Sequence, residues 1–371
     1  MTIKEQAYRA HAFLRARGVA SLKRSHVHEL LAAAVGYSTH AAFQHDATWC
    51  DMPFSVTGID PDLSAIRARC QDLGLPADEG EQIVEVLPFF LRDAGHAPVR
   101  FDALIAAIEG YDDDPDWLEW VWHVVEPRYT ASGRDIEHQR VLREGLEQAA
   151  ERGVSAAHLA IAKLLEAEAM LFGDEEERMR RQVMREGTWT SPFVSFAEIE
   201  ANGLRVYDKH RHHLLAAARG GNIRALMETA QRYGDPAVLE QAPSDEMDPM
   251  AMAEIAAEHD DIEKVRFWLT VAAQEGDIGA MRELILGYGE QGEQAWVWMH
   301  LSRLLDDDLS QDRYEAINED GSPYDDDIGG AAYVGGYEGI NLKPLPSEAD
   351  AAARQMARQL FAQINAECGP I

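Results

Sequence analysis

A twelve-residue pattern, L-x-x-A-A-x-x-G-x-x-x-A, occurs three times in the chain and constrains its fold more than any other feature. The copies read LEQAAERGVSAA, LLAAARGGNIRA and LTVAAQEGDIGA, and they begin at Leu146, Leu214 and Leu269. The shorter string A-A-x-x-G also begins at Ala32 and Ala106, so it carries little information alone. Internal repetition is typical of proteins that stack similar supersecondary units. We therefore interpret the region around the copies as a series of related helical units.

Each copy predicts two antiparallel helices joined by a tight turn. In the third copy Leu269, Ala272 and Ala273 have i, i+3, i+4 spacing and share one helix face. Gly276 is expected to end that helix in the left-handed conformation, and Asp277 is expected to cap the next helix. Small side chains beside the turn let the two backbones approach, while larger ones fill the space farther away. The signature residues are Leu146, Ala149, Ala150, Gly153, Ala157, Leu214, Ala217, Ala218, Gly221, Ala225, Tyr233, Trp268, Leu269, Ala272, Ala273, Gly276, Ala280, Leu284, Tyr288 and Gly292.

These residues resemble the Sel-one-like repeat, a relative of the tetratricopeptide repeat. That family is marked by an apolar or aromatic residue, then A-A-x-x-G, an alanine, and a tyrosine followed by glycine. The resemblance covers about 140–305, and the stretch from Ala349 to Ile364 is similar to the closing helix of such proteins. It implies an all-α fold, an α-solenoid of helix-turn-helix repeats preceded by a small helical N-terminal region. The turn glycines are 68 and 55 residues apart (221 − 153 and 276 − 221) rather than a regular distance of about 36. Insertions or diverged units therefore separate the copies.

Charge and composition divide the whole chain into five parts. Residues 1–49 carry six basic and three acidic side chains, a net charge of +3, and the rest of the chain totals −34 (−31 − 3). This change of sign predicts a small basic helical domain at 1–49 and a separate helical region at 51–130. The repeats are expected at 136–305, an acidic insertion rich in glycine and tyrosine at 306–346, and a capping helix at 347–371. The stretch LKRSHVHELLAAAVGYSTHAAFQHD resembles a small helical domain described as glyoxalase-related, which implies no site residues.

The acidic composition limits the partners that the chain can have. A net charge of −31 disfavours nucleic acid, because a nucleic-acid binder must neutralise phosphates with basic side chains. The cysteines, Cys50, Cys70 and Cys368, are widely spaced and odd in number, which suits a reducing compartment. No apolar run has the length of a membrane span, and the first residues lack the apolar centre of a signal peptide. We therefore expect a cytoplasmic protein without a membrane partner.

Motifs for catalysis or metal binding are weak. The chain has no G-x-S-x-G, phosphate-binding loop, dinucleotide fingerprint or H-E-x-x-H motif. His26 and His28, with His40 and His45 nearby, suggest a metal site, but the first two are two residues apart and point to different helix faces. The string HRHH at 210–213 is not followed by a carboxylate or cysteine at ligand spacing. We predict neither an enzyme nor a bound metal or cofactor, and keep a metal protein or enzyme based on the early histidines as an alternative.

An acidic segment is the best sequence candidate for a binding surface. From Asp306 to Asp327 the chain has ten acidic residues and only Arg313 as a base, a net charge of −9 (1 − 10). The segment lacks the glycine and glutamate that a calcium-binding EF-hand loop needs at fixed positions. We interpret it as a solvated insertion that recognises a protein partner with a basic surface. The candidate partner-binding residues are Asp306, Asp307, Asp308, Asp325, Asp326 and Asp327.

The main functional hypothesis is a non-enzymatic scaffold that binds protein partners through a repeat surface. The alternative is a nucleic-acid-related regulator, in which the basic segment 1–49 contacts DNA or RNA, or the acidic body mimics nucleic acid. A turn at Gly36 is compatible with a helix-turn-helix motif in that segment. The helix after this turn has few bases to meet phosphate, which favours a packed helical hairpin instead. The sequence does not indicate an oligomeric state.

Overall fold

The computed structural model describes residues 3–51, 61–93, 96–109, 135–167, 196–318, 324 and 333–367, and these are mostly helical. The predicted helical class is therefore confirmed, although the described residues also include two separate two-stranded ribbons. None of the described helices is both long and apolar enough to cross a membrane. Four residues that the sequence singles out, Asp325, Asp326, Asp327 and Cys368, lie outside the described residues. The chain divides into two compact units, Met1–Thr229 and Ala230–Ile371.

The first unit consists of helices and one short ribbon. Its elements are α1 (Ile3–Arg15), α2 (Arg24–Ala34), α3 (His40–Asp46), β1 (Ala47–Asp51), α4 (Leu63–Asp72), α5 (Ala77–Asp93), β2 (His96–Arg100), α6 (Phe101–Glu109), α7 (Asp135–Glu151), α8 (155–167), α9 (Phe196–Arg219) and the first part of α10 (Ile223–Tyr233). Strands β1 and β2 are antiparallel, with Ala47 opposite Arg100 and Asp51 opposite His96.

The predicted domain edge near Trp49 does not divide the structure. Trp49 lies within β1 and is 2% exposed, in the same hydrophobic cluster as Leu30 of α2 and Ile83 of α5. Val141 of α7 belongs to this cluster as well. A side chain as large as tryptophan buries enough apolar surface to hold a strand and several helices together. Residues 1–49 therefore share a core with the helices that follow them.

The second unit consists of consecutive helices that pack on their neighbours. After the end of α10 it contains a 3₁₀ helix (Pro236–Glu240), α11 (Pro249–Glu258), α12 (Ile262–Glu275), α13 (Ile278–Leu286), α14 (Glu293–Leu304), β3 (Arg313–Ile317), β4 (Tyr333–Tyr337) and α15 (Ser347–Glu367). Helix α12 packs against both α11 and α13, and α15 packs against α14 and α12. The helix expected at the end of the chain is therefore present and contacts the helices before it.

The turn glycines adopt the backbone conformation that the repeat pattern predicts. Gly153, Gly221 and Gly276 have φ angles of +82°, +80° and +103°. The amide after each glycine donates a hydrogen bond to the carbonyl of the first alanine in the pattern, five residues earlier. The pairs are Val154 to Ala149 at 3.1 Å, Asn222 to Ala217 at 3.2 Å and Asp277 to Ala272 at 2.9 Å. This bond is part of the Schellman motif, which satisfies carbonyl groups at the end of a helix.

The predicted caps and buried positions are also present. The Asn222 side chain accepts from the Ala225 amide at 3.0 Å, and the Asp277 side chain accepts from the Ala280 amide at 2.6 Å. Every leucine and alanine of the signature is buried, as is Trp268. Small buried residues at the turns allow the paired helices to approach closely.

Two further turns of the same kind have aspartate in place of glycine. Asp260 and Asp306 have φ angles of +56° and +62°, and no other non-glycine residue in the described ranges has a positive φ. The amide after each aspartate donates to a carbonyl five residues earlier at 3.0 Å, Asp261 to Ala256 and Asp307 to Ser302. Aspartate tolerates the left-handed conformation better than most residues. A pattern that requires glycine cannot find these turns.

Tyr288 differs from its expected place. The sequence predicts that it continues the helix of Ala280 and Leu284, but α13 ends at Leu286 and Tyr288 is half-buried in the turn that follows. Gly289 in this turn has a φ of +64°, which a continuing helix does not permit. The tyrosine of the pattern therefore marks the end of the second helix.

Candidate functional site

A charged cluster lies where α6, α8, α9 and α10 approach one another in the first unit. Its centre is Lys163, whose Nζ lies 2.9 Å from Glu228, 3.2 Å from Glu166 and 3.4 Å from Glu109. The lysine side chain is only 14% exposed. Burial lowers the pKa of Lys163, but the hydrogen bond and charge of Glu228 and the charges of Glu166 and Glu109 outweigh it and raise the pKa overall. Lys163 is therefore a cation held by three carboxylates.

A buried histidine completes this cluster. His210 of α9 is 6% exposed, and its Nε2 lies 3.9 Å from a carboxylate oxygen of Glu228. One ligand atom each from Glu166, His210 and Glu228 lie within 4.8 Å of one another. Imidazole nitrogen and carboxylate oxygen are common ligands of divalent transition metals. These three residues could hold such an ion.

The cluster is assembled from helix positions that local periodicity places together. Lys163 and Glu166 are three residues apart on α8, so they lie on one face of that helix. Arg224 and Glu228 are four residues apart on α10, and Arg224 donates a hydrogen bond to Glu109 at the end of α6. Ala225, a repeat-signature residue, lies on the same turn of α10 and is fully buried. The close packing of the repeat thus brings the carboxylates toward α8.

A second pair of histidines lies on the same two helices. His158 Nδ1 of α8 and His213 Nδ1 of α9 are 2.9 Å apart, so one ring donates a hydrogen bond to the other. Burial, then the neighbouring His158 and His212, lower the pKa of His213 to about 4. This histidine is therefore neutral at pH 7.

The early histidines separate into different environments. The His28 and His40 rings are 4.7 Å apart between centroids, and burial, followed by His28, lowers the pKa of His40 to about 4. His26 has a lowered pKa because of burial and the nearby Lys23, and His45 is exposed. Among the described residues, these four form no group of three metal ligands. The HRHH string is followed by no carboxylate at ligand spacing, but the fold brings Glu166 and Glu228, which are distant in sequence, close to its first histidine, His210.

The hairpin at Gly36 offers little to nucleic acid. Gly36 has a φ of +87° and separates α2 from α3. Helix α3 has the sequence HAAFQHD, which contains neither lysine nor arginine. A helix that reads a DNA groove normally needs such bases to approach the phosphates.

The described part of the predicted acidic surface is engaged within the chain. Asp307 pairs with Arg313 at 2.8 Å. Asp308 accepts from Arg303 at 3.0 Å and from the Ser310 amide at 2.9 Å. Although burial of Asp308 raises its pKa, hydrogen bonds from Ser310 and Arg303 lower the pKa overall. Asp306 is exposed and forms the left-handed turn. Asp307 and Asp308 therefore help to shape the chain that leads into β3.

Strands β3 and β4 form a ribbon that carries exposed apolar side chains. Ala316 is opposite Val334, and Tyr314 is opposite Gly336. Residues that are directly opposite project to the same side of a sheet, so Tyr314, Ala316 and Val334 share one face. Tyr314 is 55% exposed and Val334 is 78% exposed. We call Tyr314, Ala316 and Val334 the ribbon face.

The opposite side of the ribbon is held by α13. The Arg282 guanidinium lies 4.0 Å from the ring centroid of Tyr337, a cation–π contact. Arg282 also donates a hydrogen bond to the Glu338 carbonyl at 3.1 Å. The ribbon face thus points away from the side that contacts Arg282. The sequence pattern does not predict this ribbon, because each strand has only five residues and β4 contains two glycines.

Comparison of the chain with family models, with curated proteins and with solved structures finds no match.

Proposed function

We propose that the chain is a non-enzymatic scaffold of Sel-one-like helical hairpins that binds a partner protein in the cytoplasm. The recurrent left-handed turns, the buried alanines beside them and the closing helix support this assignment. Cys50 and Cys70 are buried thiols, which accords with a reducing compartment.

The observation that carries the proposal is the ribbon face. Tyr314 and Val334 are an aromatic and an aliphatic side chain left exposed on a ribbon whose other side is fastened to a helix. Aromatic residues on a rigid support are frequent anchors of protein interfaces, because little conformational freedom is lost on binding.

The occupant that fits this face is an extended, basic segment of another protein. Strand β3 lies within the most acidic part of the chain, which has a net charge of −9 between Asp306 and Asp327. An extended segment can lie along a β-ribbon, with alternate side chains directed to it. Arginine in such a segment stacks on tyrosine and is attracted by the carboxylates of Asp312 and Glu338, which act electrostatically on Tyr314.

A display library of random twelve-residue peptides, panned against the whole chain, tests this function. Enriched peptides are expected to be rich in arginine and lysine, and their affinity should fall as salt is added. Tyr314→Ala should weaken the selected peptides about 30-fold, the effect of removing an aromatic anchor. Tyr207→Ala is the matched control, because Tyr207 is 54% exposed but lies in the first unit.

The proposal is wrong if the enriched peptides have no basic character, or if Tyr314→Ala binds them as tightly as the unaltered chain does. Equal losses in Tyr314→Ala and Tyr207→Ala would place the binding surface elsewhere.

A further inference from the structure

Glu166, His210 and Glu228 come from three helices of the first unit, and one ligand atom from each lies within 4.8 Å of the other two. We propose that these three side chains bind one divalent transition-metal ion of the zinc class. This site is independent of the ribbon face, which lies in the second unit.

The ligand set matches the chemistry of such an ion. One histidine nitrogen and two carboxylate oxygens leave a fourth position for water, an arrangement that zinc accepts. Ligand atoms around a tetrahedral zinc ion are about 3.4 Å apart, given metal–ligand distances of about 2.1 Å. The present atoms lie within 4.8 Å of one another, and His210 and Glu228 are 3.9 Å apart. A contraction of at most about 1.4 Å through the glutamate side chains is sufficient for coordination.

The position of Lys163 shows that the carboxylates of this cluster stabilise a positive charge. Its ammonium group touches Glu166 and Glu228, two of the three ligands, at 3.2 and 2.9 Å. Coordination requires the ammonium to withdraw from both. Glu109 is already 3.4 Å from Nζ, so it can retain the displaced lysine. The metal ion would take over the charge compensation that Lys163 provides, and no covalent bond is made or broken.

Occupancy would bind α8, α9 and α10 together through one centre. Because the ion binds the folded arrangement and not the unfolded chain, it should raise the unfolding temperature. The site is a structural or regulatory metal centre by this reasoning, since His210 is buried and the Glu166 and Glu228 side chains are only 20% and 12% exposed.

Titration of the whole chain with ZnCl₂, followed by calorimetry and thermal unfolding, tests the proposal. One ion per chain is expected, with a rise in unfolding temperature of about 5 °C at saturating zinc. MgCl₂ should have little effect, because magnesium disfavours histidine and prefers six oxygen ligands.

Single variants locate the site. His210→Ala should weaken zinc binding about 100-fold, whereas His45→Ala, at an exposed histidine, should leave it unchanged. His213→Ala tests the neighbouring His158–His213 pair as the binding point. Glu166→Gln keeps the shape of the side chain and removes a ligand charge. If His210→Ala and His213→Ala both lose zinc binding or unfold, the zinc affinity of Glu166→Gln shows which of the two histidines lies at the site.

Lys163→Met gives a readout that a purely structural salt bridge would not produce. This variant should unfold at a lower temperature in the absence of metal and should regain most of the loss when ZnCl₂ is added, because the ion supplies the missing positive charge. The absence of a zinc-dependent rise in the unaltered chain would overturn the proposal. Full binding by both His210→Ala and Glu166→Gln, loss only in His213→Ala, or no zinc rescue of Lys163→Met would overturn it as well.

Discussion

Replacement of Gly276 by alanine tests whether the left-handed turn is the structural reason for the repeat pattern. Gly276 has φ +103° and ψ +10°, a conformation that costs an L-residue about 1–2 kcal/mol. A Cβ at this position would lie 3.4 Å from Ile364 Cδ1 and 3.6 Å from Leu305 Cδ1, which are ordinary contacts. Steric crowding therefore adds little, and most of the lost stability comes from the strained left-handed backbone conformation.

A change in the unfolded chain offsets part of this loss of stability. Alanine has fewer unfolded conformations than glycine, which favours the folded state by about 0.4–1 kcal/mol. The net expectation for Gly276→Ala is a loss of about 1 kcal/mol in the free energy of unfolding, or about 2–4 °C in unfolding temperature. Urea denaturation followed by far-ultraviolet circular dichroism measures it. Gln274→Ala, an exposed substitution in the same turn of helix, is the control and should change stability by less than about 0.5 kcal/mol.

The reciprocal change at Asp260 makes the test sharper. Asp260 is exposed and has a φ of +56°, so Asp260→Gly relieves backbone strain while increasing the freedom of the unfolded chain. These terms nearly cancel, and the expected change is within about 0.5 kcal/mol of zero. The reasoning fails if Gly276→Ala is as stable as the unaltered chain, or if Asp260→Gly is the more damaging of the two.

Three further perturbations test other parts of the structure. Ala272→Leu should lower the free energy of unfolding by about 1–3 kcal/mol in urea denaturation, because Ala272 is 2% exposed in a close helix pair; unchanged stability would contradict that packing. The lowered pKa of His213, about 4, means that the unfolded chain binds the proton more readily, so stability should fall as the pH drops from about 6.5 toward 4. Unfolding temperatures across this range should be flatter for His213→Gln, and an equal slope would refute the assignment. A hydrogen bond from Arg354, and then one from His300 at 2.9 Å, hold the pKa of Asp350 below its ordinary value. The contact should therefore stabilise α15 above about pH 4 and be lost as the pH falls through the folded pKa. Hydrogen exchange in α15 should be faster in Asp350→Asn at pH 6, and identical exchange would show that the contact contributes nothing.

The helical hairpins could be predicted because their determinants are local. Gly276 selects the left-handed conformation, Asp277 reaches an amide three residues away, and Ala272 lies one turn before the glycine. These interactions span only a few residues, so a pattern in the sequence describes them fully. The same pattern missed the turns at Asp260 and Asp306, because aspartate adopts this conformation only where the surrounding fold compensates for the strain.

The candidate site depends on contacts that no short pattern contains. The HRHH string at 210–213 is followed by no carboxylate or cysteine at metal-ligand spacing in the sequence. Glu166 and Glu228 reach His210 from other helices, 44 residues before it and 18 residues after it (210 − 166 and 228 − 210). Their approach requires α8, α9 and α10 to pack together, which depends on the whole core of the first unit.

The sequence by itself determined where the helices end and turn at Gly153, Gly221 and Gly276, since hydrogen bonds between near neighbours set those turns. Tertiary structure alone decided that Trp49 joins two predicted domains in one core and that Lys163 lies among three carboxylates. It also decided that Tyr314 and Val334 remain exposed on the β3–β4 ribbon while Tyr337 packs against Arg282. In each case the physical reason is the same: burial and charge pairing depend on residues that only the folded chain brings together.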